Sequence, residues 1–75
     1  MESAAQPAYY MVRIQEHLAP RWVGWFEGLT MTHTESGETI LCGPIADQAA
    51  LHGVLARVRD LNLTLIAVNR IEPII

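Results

Sequence analysis

The chain has one cysteine in 75 residues, no lysine, and no apolar run near the length of a membrane span. A lone Cys42 cannot close an intramolecular disulfide or by itself build a cysteine zinc site, which removes two common staples of small domains. All five basic residues are arginine and the formal net charge is −3. There is thus no basic stripe to neutralise phosphates and no polybasic patch for anionic lipid, so nucleic acid and membrane are not expected partners. Without lysine there is no Schiff-base nucleophile. A spanning helix needs about 20 apolar residues, and the opening MESAAQPA has neither the basic nor the apolar part of a secretory leader. A bacterial-type cytoplasmic location is the expectation.

Apolar residues, by contrast, are abundant. They make 51% of the chain, and about 57% when the five glycines are counted, against roughly 45 to 50% for ordinary soluble domains. A single domain of this size buries only about 60 to 65% of its unfolded surface. The excess calls for a second buried surface, and with disulfide and metal removed that means a second copy of the chain.

Residues 1 to 8 read as a frayed tail and residues 9 to 75 as one domain. Tyr9 to Leu18 alternates, with Tyr10, Val12 and Ile14 on one face and Met11, Arg13, Gln15 and His17 on the other, as a strand does. Pro20 suits a first helical turn, and Trp22, Val23, Trp25 and Phe26 follow at helical spacing up to Gly28, which predicts a two-turn helix. Leu29 to Thr34 and Glu38 to Gly43 read as a hairpin around Ser36-Gly37. That turn sets Met31 opposite Cys42 and His33 opposite Ile40. Leu29, Met31, His33, Ile40 and Cys42 then face the core, and the threonines and Leu41 face away.

Gly43-Pro44 ends that strand, and Asp47 is placed to accept from the first free N–H groups of a helix. Ala50, Leu51, Val54, Leu55 and Val58 recur at three- and four-residue steps and give it one apolar stripe. Arg57 and Arg59 suit the carbonyl end of its dipole, and Asn62 reads as its stop. Leu63 to Glu72 is the last strand, apolar on both faces, and Pro73 closes it.

Strand, short helix, strand, strand, helix, strand is the ferredoxin-like βαββαβ order: a four-stranded antiparallel sheet with both helices on one face. If the Trp22 segment is a loop, the same strands form a meander with a single helix. The uncovered sheet face would carry Met11, Arg13, Leu41, Leu65 and Ala67. With Trp25, these are the expected interface residues.

The run GPIADQAALHGVLARVRDLNLTLIAVNRIEP, preceded by RWVGWFEGL and THTESGETIL, resembles a group of small uncharacterised bacterial proteins. The shared features are Gly43-Pro44, the helix start Asp47 to Leu51 and the helix end Arg59 to Leu61. Each is a folding signal, so the resemblance implies a compact bacterial domain and no catalytic residue.

Chemical motifs are sparse. His17, His33 and His52 fall on three separate elements without the spacing of a helical metal site, so no metal is expected. Cys42 reads as a small buried hydrophobe, and no base and orienting group accompany it or Ser36. The acidic residues are scattered, which gives paired-carboxylate catalysis no support. Trp22 and Phe26, four apart, cap the core, and Trp25 is left for exposure. No catalytic residue and no cofactor are expected. The leading expectation is a homo-oligomeric module, more a non-enzyme than an enzyme, for protein interaction or small-ligand binding. The alternative is a small cofactor-free enzyme of the dimeric α+β-barrel type, with a cavity containing His33 and Trp22.

Overall fold

The computed structural model describes residues 8 to 26 and 28 to 71. Apart from Ala8, the expected tail lies outside the described residues, as do Glu72 and Pro73. Four strands form one antiparallel sheet: β1 (Ala8–Ile14), β2 (Thr30–His33), β3 (Thr39–Ile45) and β4 (Leu65–Ile71), in the spatial order β2-β3-β1-β4. This is the strand order of the expected fold, with one helix, α1 (Gln48–Asp60), on one face. The first crossover is not an α-helix but a six-residue 3₁₀ segment, Pro20–Trp25. It has no side-chain cap, and it contains Gly24, which weakens helical structure.

The second crossover is capped at both ends. Asp47 Oδ1 accepts from Ala50 N–H at 2.8 Å. At the other end Asn62 adopts φ 59°, its N–H donates to Arg59 C=O, and Leu63 N–H reaches back to Val58 C=O at 3.0 Å. That pair of bonds is a Schellman closure with asparagine in the left-handed position. Leu63 belongs to this cap and packs on the core, so β4 starts two residues later than expected.

The core comprises Val12, Ile14, Leu18, Phe26, Leu29, Leu41, Ile45, Leu51 and Val58. Only part of the helical stripe enters it: Leu51 and Val58 are buried, Val54 and Leu55 half-buried, and Ala50 exposed. Trp22 packs against the core beside fully buried Phe26, in line with the spacing.

The hairpin register differs from expectation by one residue. Thr34 N–H bonds Glu38 C=O at 2.9 Å and Gly37, at φ 91°, bonds back to Thr34 C=O, so the loop is the three residues 35 to 37. Such a loop is a turn followed by a left-handed glycine, and the added residue shifts every pair. Met31 therefore faces Leu41, and His33 faces Thr39. Because side chains alternate, the slip moves β3 over: Thr39, Leu41, Gly43 and Ile45 point inward, and Ile40, Cys42 and Pro44 outward. Leu41 is thus a core residue, fully buried, and Cys42 lies on the open face.

Nor does β3 end at Gly43-Pro44; it runs to Ile45. Pro44 lies beyond the last pair with β2, where no neighbouring strand needs its missing N–H. Gly43 is where the first crossover returns over the sheet. A Cβ there would stand 2.6 Å from Gly28 carbonyl oxygen and 3.0 Å from Leu29 Cδ2.

Candidate functional site

The loop between β1 and the 3₁₀ segment is tied down by Thr39, whose hydroxyl is completely buried. It accepts from Leu18 N–H and donates to Glu16 C=O, both at 2.8 Å. Leu18 C=O in turn accepts from His33 Nε2 at 2.7 Å, which fixes a proton on that nitrogen. On the far side, Glu16 Oε1 and Oε2 accept from Thr64 N–H and Oγ1 at 2.7 Å each. These two bonds hold the Glu16 carboxyl below its ordinary range.

His17 and His33, on separate elements in sequence, come together as a stack with centroids 4.0 Å apart and planes at 15°. Ring-nitrogen lone pairs lie in the ring planes, so stacked imidazoles do not aim them at one ion. Among the described residues no three histidine, cysteine or acidic side chains gather around a common point. His52 is exposed on α1.

The described residues leave two larger surfaces open. The first is the outer face of the sheet, whose layout follows from the pairing. Ala67, Arg13, Ile40 and Thr32 form one row across the strands; Asn69, Met11, Cys42 and Thr30 the next; Ile71, Tyr9 and Pro44 the third. Apolar groups and Arg13 occupy the middle strands and threonines the β2 edge. Of the residues expected here, Met11, Arg13 and Ala67 lie on this face, and Leu41 does not, because of the hairpin slip. Leu65 lies at a register shift between β1 and β4, and it and Ile66 are 44% and 45% exposed. Arg13 Nε stands 3.5 Å from Glu38 Oε1, shielded from solvent but without an aligned hydrogen bond.

The second open surface is a groove of about 530 Å³ on the helix side, between the 3₁₀ segment and α1. The short first crossover creates it, since a full helix there would cover the Ala50–Val54 edge of α1. Its walls include Trp25, Phe26, Val54 and Ala50, with Gly24 on one side and Gly53 on the other. Trp25 is 41% exposed, with the Arg57 guanidinium 5.7 Å from its ring centroid. Trp22 meets Trp25 edge to face at 5.6 Å and carries Arg21 at 5.5 Å, so two indoles and two guanidinium groups form one array. The groove contains neither His33 nor Trp22, so it is not the cavity anticipated for an enzyme. Sequence reasoning gave Arg57 only a helix-dipole role; its contact with Trp25 depends on the crossover geometry, which no local pattern specifies.

A domain-family model covers residues 9 to 69, from the first strand to the middle of the last, and takes in both surfaces. The chain belongs to this family, a domain of unknown function designated DUF8691. The assignment agrees with the resemblance to an uncharacterised family and leaves the function to be argued from the two surfaces. Neither a curated protein nor a solved structure gives a significant match.

Proposed function

We propose that this DUF8691 domain is a non-catalytic, self-associating module of the bacterial cytoplasm, in which two copies meet outer sheet face to outer sheet face. One observation carries the reading: Tyr9, Met11, Ile40, Cys42, Ala67 and Ile71 make this face mostly apolar around a single Arg13, with threonines along the β2 edge and Asn69 on β4, and no element among the described residues covers it. A mostly apolar patch that carries an arginine and has polar residues along its edges has the composition of a protein interface.

Charge favours a second copy as the occupant. The chain as a whole carries −3, yet among the described residues this face holds one cation, Arg13, and one anion, Glu38, so two such faces approach without net repulsion. The shielded Arg13 Nε gains from an acceptor brought by a partner. Three strands of seven residues and one of four, about 4.8 Å apart, project roughly 400 Å². Two faces then bury about 800 Å², below the ~1,000 Å² of stable specific interfaces, which fits a weak, reversible dimer. Binding is favoured over catalysis because Arg57 is the one titratable group among the groove's described lining.

Sedimentation equilibrium over a concentration series tests the proposal. The mass should rise toward twice the 8.4 kDa of the chain at tens of micromolar, and Met11→Asp should hold it at the single-chain value with its thermal midpoint little changed. A single-chain mass at every concentration, or a dimer indifferent to Met11→Asp, refutes it.

A further inference from the structure

We infer that the groove between the 3₁₀ segment and α1 is a binding site for a small planar organic anion, an aromatic carboxylate in the simplest case. The site lies on the helix side of the sheet, so the inference stands apart from the self-association proposed above.

Four observations converge. The volume, about 530 Å³, falls in the range of small-molecule sites. Its one charged group is cationic and has no carboxylate partner among the described residues. Arg13 has Glu38 and Arg59 has Asp60, whereas among the described residues Arg57 meets the Trp25 ring and no carboxylate. In a chain with eight acidic residues to five basic ones, an arginine held on an indole at a groove mouth is a guanidinium left available for an incoming anion, which it can grip with two parallel N–H donors.

The remaining two concern the walls. Trp25 is exposed at the rim and supplies a rigid ring face against which a planar ligand can stack. Gly24 and Gly53 both line the groove, and a Cβ built on either meets nothing within 4 Å. Neither has the positive φ that demands glycine. Gly53 lies inside α1, where glycine weakens the helix and no packing partner explains it. A flat ligand lying between the two walls does explain it, since side chains at both positions would narrow the slot.

The test uses the intact chain and 2-naphthoate as probe, followed by chemical-shift changes of backbone amides and the indole N–H groups. Saturable binding is expected at a Kd of about 1 mM or tighter, the level suited to a fragment of this size. Shifts should be confined to Trp25, Ala50, Gly53, Val54 and Arg57. Neutral 2-naphthalenemethanol should bind at least about tenfold more weakly, and Arg57→Gln should abolish the preference for the anion. Gly53→Leu should fill the slot and remove binding while leaving the thermal midpoint equal or higher, so that lost binding is not lost folding. Absence of saturable 2-naphthoate binding, equal affinity for the neutral analogue, or unchanged binding in either variant overturns the inference.

Discussion

β3 carries two unlike surfaces on one seven-residue strand. Toward α1 it presents Thr39, Leu41, Gly43 and Ile45, all buried; away from it, Ile40, Cys42 and Pro44, none of them fully buried. The inward side is specific in shape. Thr39 satisfies two backbone groups of the β1 loop, Leu41 fills the core between Val12 and Met31, and Gly43 makes room for the returning backbone at Gly28. The outward side has comparable oiliness, with nothing among the described residues fitted against it. The lesson is that hydrophobicity alone does not say which face of such a strand is core. The close contacts do, and they are all on one side.

The largest expected effect of that contrast is at neighbouring positions. Leu41→Ala should cost about 3 kcal/mol in chemical denaturation, by transfer and cavity terms together, whereas Cys42→Ala at concentrations too low for association should cost under about 1 kcal/mol. Equal losses would erase the distinction between the faces. Next, Thr39→Val keeps the side-chain volume but strands Leu18 N–H and Glu16 C=O, for an expected loss of about 2 kcal/mol. Gly43→Ala should cost about 1 to 3 kcal/mol through overpacking against Gly28 and Leu29. A substitution there tolerated without loss would mean the crossover is free to lift off the sheet.

The β1 loop gives the smallest effect, one that depends on pH. The two hydrogen bonds from Thr64 hold the Glu16 carboxyl below the ordinary carboxylate value. A depressed carboxylate contributes stability that is present above its unfolded value and lost as pH falls through its folded one. Thermal midpoints of the native chain and Glu16→Gln should therefore differ most near neutrality and converge as pH drops below about 4.5. A gap independent of pH would show that the Glu16–Thr64 contact acts through packing.

Much of this was legible in the residues because it is local. The Asp47 cap, the helix to Asp60, the Asn62 stop and the four strands follow from patterns a few residues long, and the strand order follows from their sequence. What escaped depends on single-residue register or on distant partners. Ser36-Gly37 resembles a two-residue turn, and only the bonds Thr34 makes to Gly37 and Glu38 reveal a three-residue loop, which moved Leu41 inward and Cys42 outward. Gly43-Pro44 looked like a strand end because the chain passing over Gly43 is fifteen residues away in sequence. At the groove, Trp25 is legible as the exposed aromatic, but Arg57 reads only as a helix-end charge, since nothing local announces a gap beside its helix.

The central claim is that the outer sheet face is where two copies meet. Backbone amide shifts recorded through a dilution series locate any contact directly. The account predicts concentration-dependent shifts at Met11, Arg13, Ile40, Cys42 and Ala67, with Leu51 to Val58 of α1 unmoved. Signals that stay fixed at all concentrations, or that move on α1 and around Trp25 instead, would contradict it.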